Sequence, residues 1–425
     1  MIHIRSRSVV AFCTVLSLLV SLASAGASQQ QPTELGAEEQ KAYELICQRI
    51  LKHNSWLLGA SYAVAHAGEG SFQDGGPTLD FLASVPEPEQ ILEVIQSEGL
   101  VPFKARVRSL LTNRRSINRG FGAIWLFVIA DTEFKKDIAR LLDEKPGRPP
   151  DSDLEKLLHN QDRRIAAVVL GEMGATEYAP TLLALLESPD SFDRIGALEG
   201  LGLMRLKEHA KEIAKLLSDE DNDVQKEAIQ TLAELDATEY AGDIAQLLTS
   251  RYSIIDVPTT AMYALVRLDG RKWIKDVASL LEHEFLKGDA AKALALFGAK
   301  EYTPMIARLL DDSSALVRCD AVIALGILDA QEYRTQIVAR LSDKETFVRK
   351  YAAVALLLMS EQSHSNEVLE VIHAEWKDLY LASNPSDPAA YFGARIELDS
   401  VLEQRQQQLT LRAVENWKQI NPAQK

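Results

Sequence analysis

Apolar residues recur along this chain with two nested periods. Within a segment they fall three and four apart, the spacing that lines one face of an α-helix. Between segments the pattern returns about every 31 residues, anchored at Ile95, Leu126, Leu170, Leu201, Leu232, Leu265, Leu294, Leu325 and Leu356. The intervals are 31, 44, 31, 31, 33, 29, 31 and 31. The 44 contains an insertion around Lys145-Pro146-Gly147-Arg148-Pro149-Pro150, and the 33 and 29 offset each other, so the register slips and recovers near Leu265. A period of this length signifies stacked helical hairpins, because one hairpin cannot bury its apolar face alone and its neighbour must cover it.

Positions around the anchor give each hairpin its parts. Four residues before it stands a small residue, Gly122, Ala166, Ala197, Ala228, Ala261, Ala290, Ala321 or Ala352, which lets neighbouring helices approach closely; only the first repeat departs, with Ile91. Three residues after it the first helix is apolar again, from Ile129 to Met359. A turn such as Gly174-Ala175-Thr176 follows. Eight residues past the anchor an aromatic opens a second helix as Phe103, Phe134, Tyr178, Tyr240, Trp273, Tyr302 and Tyr333, with His209 as the one substitute. Val107, Ile138, Leu182, Ile213, Ile244, Val277, Ile306 and Ile337 then continue its apolar stripe. Pro180 and Pro304 fall in its first turn, where a missing N–H costs nothing.

The fold expected is all-α, a right-handed superhelical solenoid of about eight stacked hairpins. Segments such as Val317-Arg318-Cys319-Asp320-Ala321-Val322-Ile323-Ala324-Leu325-Gly326 and Val348-Arg349-Lys350-Tyr351-Ala352-Ala353-Val354-Ala355-Leu356 carry valine-arginine, then alanines and the leucine anchor. In this the chain resembles the HEAT-like repeat proteins, in particular those related to the phycobilisome lyase repeats. The resemblance implies a superhelix whose second helices line the concave side, and implies no single activity. The basic slot seven residues before the anchor reads Arg119, Arg163, Arg194, Lys287, Arg318 and Arg349, while Pro88, Gln225 and Pro258 depart, so an inter-repeat ladder is expected to break mid-array. The organisation expected is a signal peptide over 1–25, a flexible leader over 26–35, an N-terminal helical cap over 36–90, the HEAT-like solenoid over 91–365 and a C-terminal helical cap over 366–425. Terminal elements of a repeat array must cover exposed apolar surface.

The chain starts with an address. Arg5 and Arg7 precede the apolar run from Val9 to Val20, and Ala23-Ser24-Ala25 supplies the small-x-small pattern of signal-peptide cleavage before Gly26. That run is too short for the ~20 residues of a spanning helix, so no transmembrane anchor is expected in the mature chain. The sequence has no Asn-x-Ser/Thr acceptor with x other than Pro, which fits a periplasm better than a glycosylating route; extracellular release is the alternative. Of 425 residues 47% are hydrophobic and 25% charged, with 61 acids against 46 Lys and Arg. Loss of Arg5 and Arg7 leaves 44 cations and a mature net charge of −17. That balance disfavours nucleic acid, whose phosphates must be met by cations.

Candidate chemistry is sparse. Gly59-Ala60-Ser61-Tyr62-Ala63 with nearby His66 approaches a nucleophile elbow, but the residues before it look helical where a strand is required. The loop Gly68 to Gly76 lacks the Lys-Ser/Thr ending that cradles phosphates. One HEAT-like family, the deoxyhypusine hydroxylases, holds two irons with repeated His-Glu pairs; His283-Glu284 is a single pair here. Asp219, Asp221 and Asp223 match the start of a calcium loop, but Val224 and Gln230 stand at its required glycine and glutamate, so helix N-capping is the expected role. Cys319 reads as a small core residue. No catalytic residue, metal site or cofactor is therefore assigned.

One surface pattern stands out. Positions ten and fourteen past the anchor point away from the second helix's apolar stripe and supply Lys136, Arg140, Lys211, Lys215, Lys275 and Arg308, with no acid among the fourteen positions from Lys136 to Ala339. The function expected is an exported, non-catalytic scaffold or adaptor that binds a protein partner, with an acidic segment fitting these cations. The alternative is a lyase-like or cofactor-handling enzyme built on the same repeats, marked by a chromophore or metal retained on purification. The export reading predicts a native chain that begins at Gly26. Mass spectrometry of the N-terminus from the native host checks this, and a cytoplasmic chain retaining Met1 contradicts it.

Overall fold

The computed structural model describes residues 37–52, 88–112, 116–130, 132–143, 161–249 and 256–359, with Val368, Gln408, Leu409, Leu411, Arg412, Glu415 and Asn416 as isolated positions. The segments read above as signal peptide and leader, the stretch from Gly59 to Gly76, the insertion at 145–150 and nearly all of the C-terminal cap lie outside the described residues. The chain forms two compact units, Met1–Thr231 and Leu232–Lys425.

Among the described residues every regular element is helical. α1 (Ala37–Lys52) precedes the repeats. The hairpins follow as α2 (Pro88–Glu98) with α3 (Leu100–Ser109), α4 (Ser116–Ala130) with α5 (Lys135–Asp143), α6 (Gln161–Glu172) with α7 (Ala179–Leu185), and α8 (Ser191–Leu203) with α9 (Ala210–Ala214). Next come α10 (Asn222–Glu234) with α11 (Ala241–Gln246), α12 (Asp256–Arg267) with α13 (Ile274–Ser279), α14 (Lys287–Phe297) with α15 (Thr303–Arg308), and α16 (Ala315–Leu328) with α17 (Arg334–Ala339); α18 (Thr346–Leu358) opens one more. The fold class is thus the all-α repeat solenoid expected.

The 31-residue register is the core. Every anchor from Leu126 to Leu356 is fully buried, and so are the alanines four residues before it from Ala166 to Ala352 and the aliphatic side chains twelve after it from Val107 to Ile337. Each aliphatic side chain so buried contributes about 1.5–3 kcal/mol relative to exposure. Successive first helices lie in direct contact within each unit. In the first, a Cβ on Gly200 would fall 2.7 Å from the Ala167 carbonyl oxygen; in the second, one on Gly326 would fall 2.7 Å from the Cα of Ala355. α1 joins this layer by packing on α2 and α4, with Ile46 and Ile50 buried.

Six first helices, α6, α8, α10, α12, α14 and α16, end by a shared device. The fourth residue past the anchor is left-handed: Gly174, Arg205, Asp236, Asp269, Gly298 and Asp329 have φ between 49° and 71°. The following amide then donates to the anchor's carbonyl, as from Ala175 to Leu170 at 3.0 Å and from Gly270 to Leu265 at 2.7 Å. The left-handed residue's own amide donates three residues back, completing a Schellman cap. The anchor therefore fills the core with its side chain and closes the helix with its carbonyl.

Second helices differ from the continuous helix expected. A 3₁₀ turn such as Lys207–His209 leads into the short α9, and another, Lys215–Ser218, leads out of it. The recurrent aromatic closes the leading turn and is only half-buried in Tyr178, Tyr240, Trp273, Tyr302 and Tyr333. The last C=O groups of an α-helix lack intrahelical donors, and the tighter i→i+3 bonds satisfy some of them over a short span.

Two substitutions probe this register. Ala321→Leu is expected to destabilise the chain by about 1–3 kcal/mol through overpacking. Arg205→Gly, which removes an exposed side chain from a left-handed residue, is expected to stabilise it by about 1 kcal/mol. Urea denaturation of the full chain measures both, and a neutral Ala321→Leu would contradict the assigned core position.

Candidate interaction surface

The six cations picked out on the second helices are all exposed. In the first unit Lys136 and Arg140 lie on α5, Lys211 on α9 and Lys215 in the 3₁₀ turn that follows it; in the second, Lys275 lies on α13 and Arg308 on α15. Arg140 pairs with Asp137 at 3.1 Å. Among the described residues the other five form no ion pair. Gly242, at the equivalent position of α11, is half-buried because the ring of Trp273 lies 3.5 Å from where its Cβ would stand.

One register position along, the reading missed a column of acids. Eleven residues past the anchor stand Asp137, Glu212, Asp243 and Asp276. Each unit therefore presents lysines flanked by carboxylates, which damps the long-range field and leaves short-range pairing as what these ammonium groups can do. The signal was present in the same alignment that found the cations, one residue away.

Cations in the slot seven residues before the anchor behave in the opposite way. In the first unit Arg119 pairs with Asp162 at 2.6 Å, Arg163 with Asp193 at 2.8 Å and Arg194 with Asp219 at 2.7 Å. In the second, Lys287 pairs with Asp312, and Arg318 with Asp343 at 2.8 Å. Gln225 keeps only a local bond, donating from Nε2 to the Asp219 carbonyl at 2.9 Å, and Pro258 has no donor, so the ladder lapses where the sequence departs. Burial opposes the charged form of Asp343, but hydrogen bonds from Arg318 and the Glu345 amide, with the fields of Arg318 and Arg340, outweigh it and hold the carboxyl below its ordinary range. Asp312 shifts the same way, with Lys287 and the Ser314 amide as donors. In Asp193 burial prevails and pushes the pKa up, its Oδ1 being without a hydrogen bond.

A polar cluster between first helices of the second unit also escaped the sequence reading. Lys292 lies 3.2 Å from Asp289 and 3.0 Å from Asp320. The Tyr263 hydroxyl donates to Asp289 at 3.1 Å, and the Thr259 hydroxyl donates to its other oxygen at 3.2 Å. Gly288 makes room, since a Cβ there would collide with the Asp320 carboxylate. Burial raises the pKa of Tyr263 and of Asp320. For Lys292 burial works against the charge, but Tyr263, Asp320 and Asp289 around it raise its pKa well above the ordinary value. The ammonium stays charged, and the cluster ties α12, α14 and α16 together through groups that face one another.

The remaining candidates are placed as follows. His283 and Glu284 are exposed. Asp221 accepts hydrogen bonds from the Asp223 and Val224 amides at 2.8 and 3.4 Å, and Asp219 accepts one from the Asp221 amide at 2.9 Å, the N-capping role expected ahead of α10. Cys319 is buried. Among the described residues no group of three or more His, Cys, Asp or Glu side chains is placed to hold a metal ion, and no helix is long and apolar enough to cross a membrane.

A family model for HEAT repeats matches residues 152–233, 179–255 and 274–357. Comparison with curated proteins finds no match. Among solved structures the chain is similar to the complex of CpcE and CpcF of phycocyanin lyase from Nostoc sp. PCC7120, at 20% identity over 64% of this chain and 93% of that one, with a TM-score of 0.30. It is similar to human deoxyhypusine hydroxylase at 17% identity over 63% and 99% of the two chains, TM-score 0.27. It is similar to a Kap121p mutant at 11% identity over 98% and 49%, TM-score 0.41. Superposition at this level says nothing about activity.

The ladder yields a pH prediction. Asp343 titrates below its unfolded-chain value, so the stability it contributes is present above the ordinary carboxylate range and is lost as pH falls toward its folded-state pKa. Asp343→Asn strands Arg318, which is 6% exposed, and is expected to cost about 3 kcal/mol at neutral pH. That deficit should shrink in acid, where the wild-type carboxyl also takes up a proton. Urea denaturation at pH values above and below the carboxylate range checks it, and a pH-independent difference contradicts it.

Proposed function

The chain is a HEAT-like repeat protein, and on that premise we propose that it is an exported, non-catalytic scaffold whose second helices hold an acidic segment of another protein. HEAT repeats suggest a protein-interaction scaffold, since stacked hairpins present a long surface built from many equivalent positions. The observation that carries the finer reading is the contrast between two sets of cations. In the slot before the anchor Arg119, Arg163, Arg194, Lys287 and Arg318 are paired with aspartates, whereas Lys136, Lys211, Lys215, Lys275 and Arg308 are exposed and form no ion pair among the described residues. Cations with no ion pair among the described residues are available to carboxylates of another protein. The acids beside them restrict the fit to a segment whose negative groups meet the ammoniums directly. The non-catalytic reading is supported by the Tyr263, Lys292 and Asp320 cluster, whose polar groups are bonded to one another. Delivery to the periplasm rests on Arg5, Arg7 and the cleavage pattern Ala23-Ser24-Ala25.

Capture of a partner from native envelope material on the immobilised full chain tests the reading. Binding should weaken as salt rises, because exposed charges are screened beyond about 10 Å at 0.1 M. Lys211→Glu, Lys215→Glu and Arg308→Glu together should reduce it at least about tenfold, while stability stays within about 0.5 kcal/mol, as usual for exposed sites. Capture that survives both salt and the triple reversal contradicts the proposal.

A further inference from the structure

Most large apolar side chains of the repeats lie in the core, but Phe285, Leu316 and Phe347 are 65%, 69% and 37% exposed. Each stands nine residues before its anchor, in three consecutive repeats of the second unit. Leu316 and Phe347 are the second residues of α16 and α18, and Phe285 lies in the turn entering α14. Singly exposed apolar residues are ordinary; three at one register position are a row. The earlier described repeats carry Ile117, Gln161, Phe192, Asp223 and Asp256 there. The Phe285 ring is also held in place, because its amide donates to Nδ1 of His283 at 3.3 Å and the two rings meet edge to face at 6.3 Å.

We propose that this row is a docking surface for a cationic amphipathic helix of a partner protein. Equivalent residues of packed helices stand about 8–10 Å apart. A helix advances 1.5 Å per residue, so side chains seven apart are separated by about 10.5 Å, and a helix laid across the first-helix ends meets the row at i, i+7 and i+14. The charge beside the row fixes the sign of the occupant. Glu282 and Glu284 are exposed and Glu345 is half-exposed, none in an ion pair among the described residues, against the exposed cation Lys344. A second copy of this chain would bring carboxylates against carboxylates, and an anionic lipid surface would meet the same repulsion. This surface calls for a partner of charge opposite to that proposed for the second-helix cations, and it stands or falls independently of them.

The test uses the full chain and a fluorescein-labelled synthetic peptide, helical and lysine-rich, with leucines at i, i+7 and i+14. Fluorescence anisotropy should give binding at least about tenfold tighter than for a scrambled peptide of the same composition. Phe285→Ser, Leu316→Ser and Phe347→Ser together should remove that preference with the thermal transition unchanged. Glu282→Lys with Glu284→Lys, which leaves the row intact, should weaken binding of the same peptide. Lys211→Glu, Lys215→Glu and Arg308→Glu should leave the leucine-register preference in place. Equal binding of the scrambled peptide, or undiminished binding by the serine and rim variants, overturns the proposal. So does self-association, or adhesion to phosphatidylglycerol vesicles, that the serine variant abolishes.

Discussion

The structure depends on how closely successive first helices approach. From the second repeat onward a small residue four positions before the anchor leaves room for the neighbouring helix, and the anchor leucine fills the space below it. Gly200 and Gly326 carry the approach to backbone contact, where no side chain larger than hydrogen fits without movement. Interiors packed to this density transmit any change of volume, which accounts for the five intervals of 31 residues and for the way the 33 and 29 offset each other. The insertion between Leu126 and Leu170 is tolerated because it adds chain between hairpins and leaves the spacing inside each one alone.

That constraint sorts the charges. Cations placed at the inner ends of first helices are drawn in with the packing and must find carboxylates, which the next repeat supplies as Asp193, Asp219, Asp312 and Asp343. The second helices are short and largely solvated on their outer sides, and there Lys136, Lys211, Lys215, Lys275 and Arg308 form no ion pair among the described residues. A stack of similar parts thus acquires distinct surfaces: paired charge within, five cations on the second-helix side that form no ion pair among the described residues, and in the second unit an apolar row with an acidic margin. Binding specificity on such a scaffold comes from register positions that repeat, and so from patterns wider than any single residue.

Most of the fold was legible because several independent signals share one period. Leucine anchors, alanines and the aliphatic positions of the second helices are each weak evidence alone, and their common register leaves one architecture. What escaped has physical causes. Arg205, Asp236, Asp269 and Asp329 adopt the left-handed conformation that glycine marks openly at Gly174 and Gly298, so the cap is hidden by residue identity in four of these six helices. The Lys292 cluster depends on contacts across three helices that no local spacing encodes. Phe285, Leu316 and Phe347 were visible as apolar residues, but periodicity alone does not separate a core position from an exposed one at a helix end. The acids beside the second-helix cations occupy register position eleven, between the two positions, ten and fourteen, at which the basic pattern is visible.

The proposed contact lies between exposed cations on the second helices and carboxylates of another protein. Zero-length carbodiimide crosslinking in the native compartment joins lysines only to carboxylates already in contact with them, so it reads this claim directly. The account predicts crosslinks from Lys136, Lys211, Lys215 or Lys275 to an acidic segment of one partner. Crosslinks to a partner that leave these four lysines unmodified and arise elsewhere on the chain would contradict it.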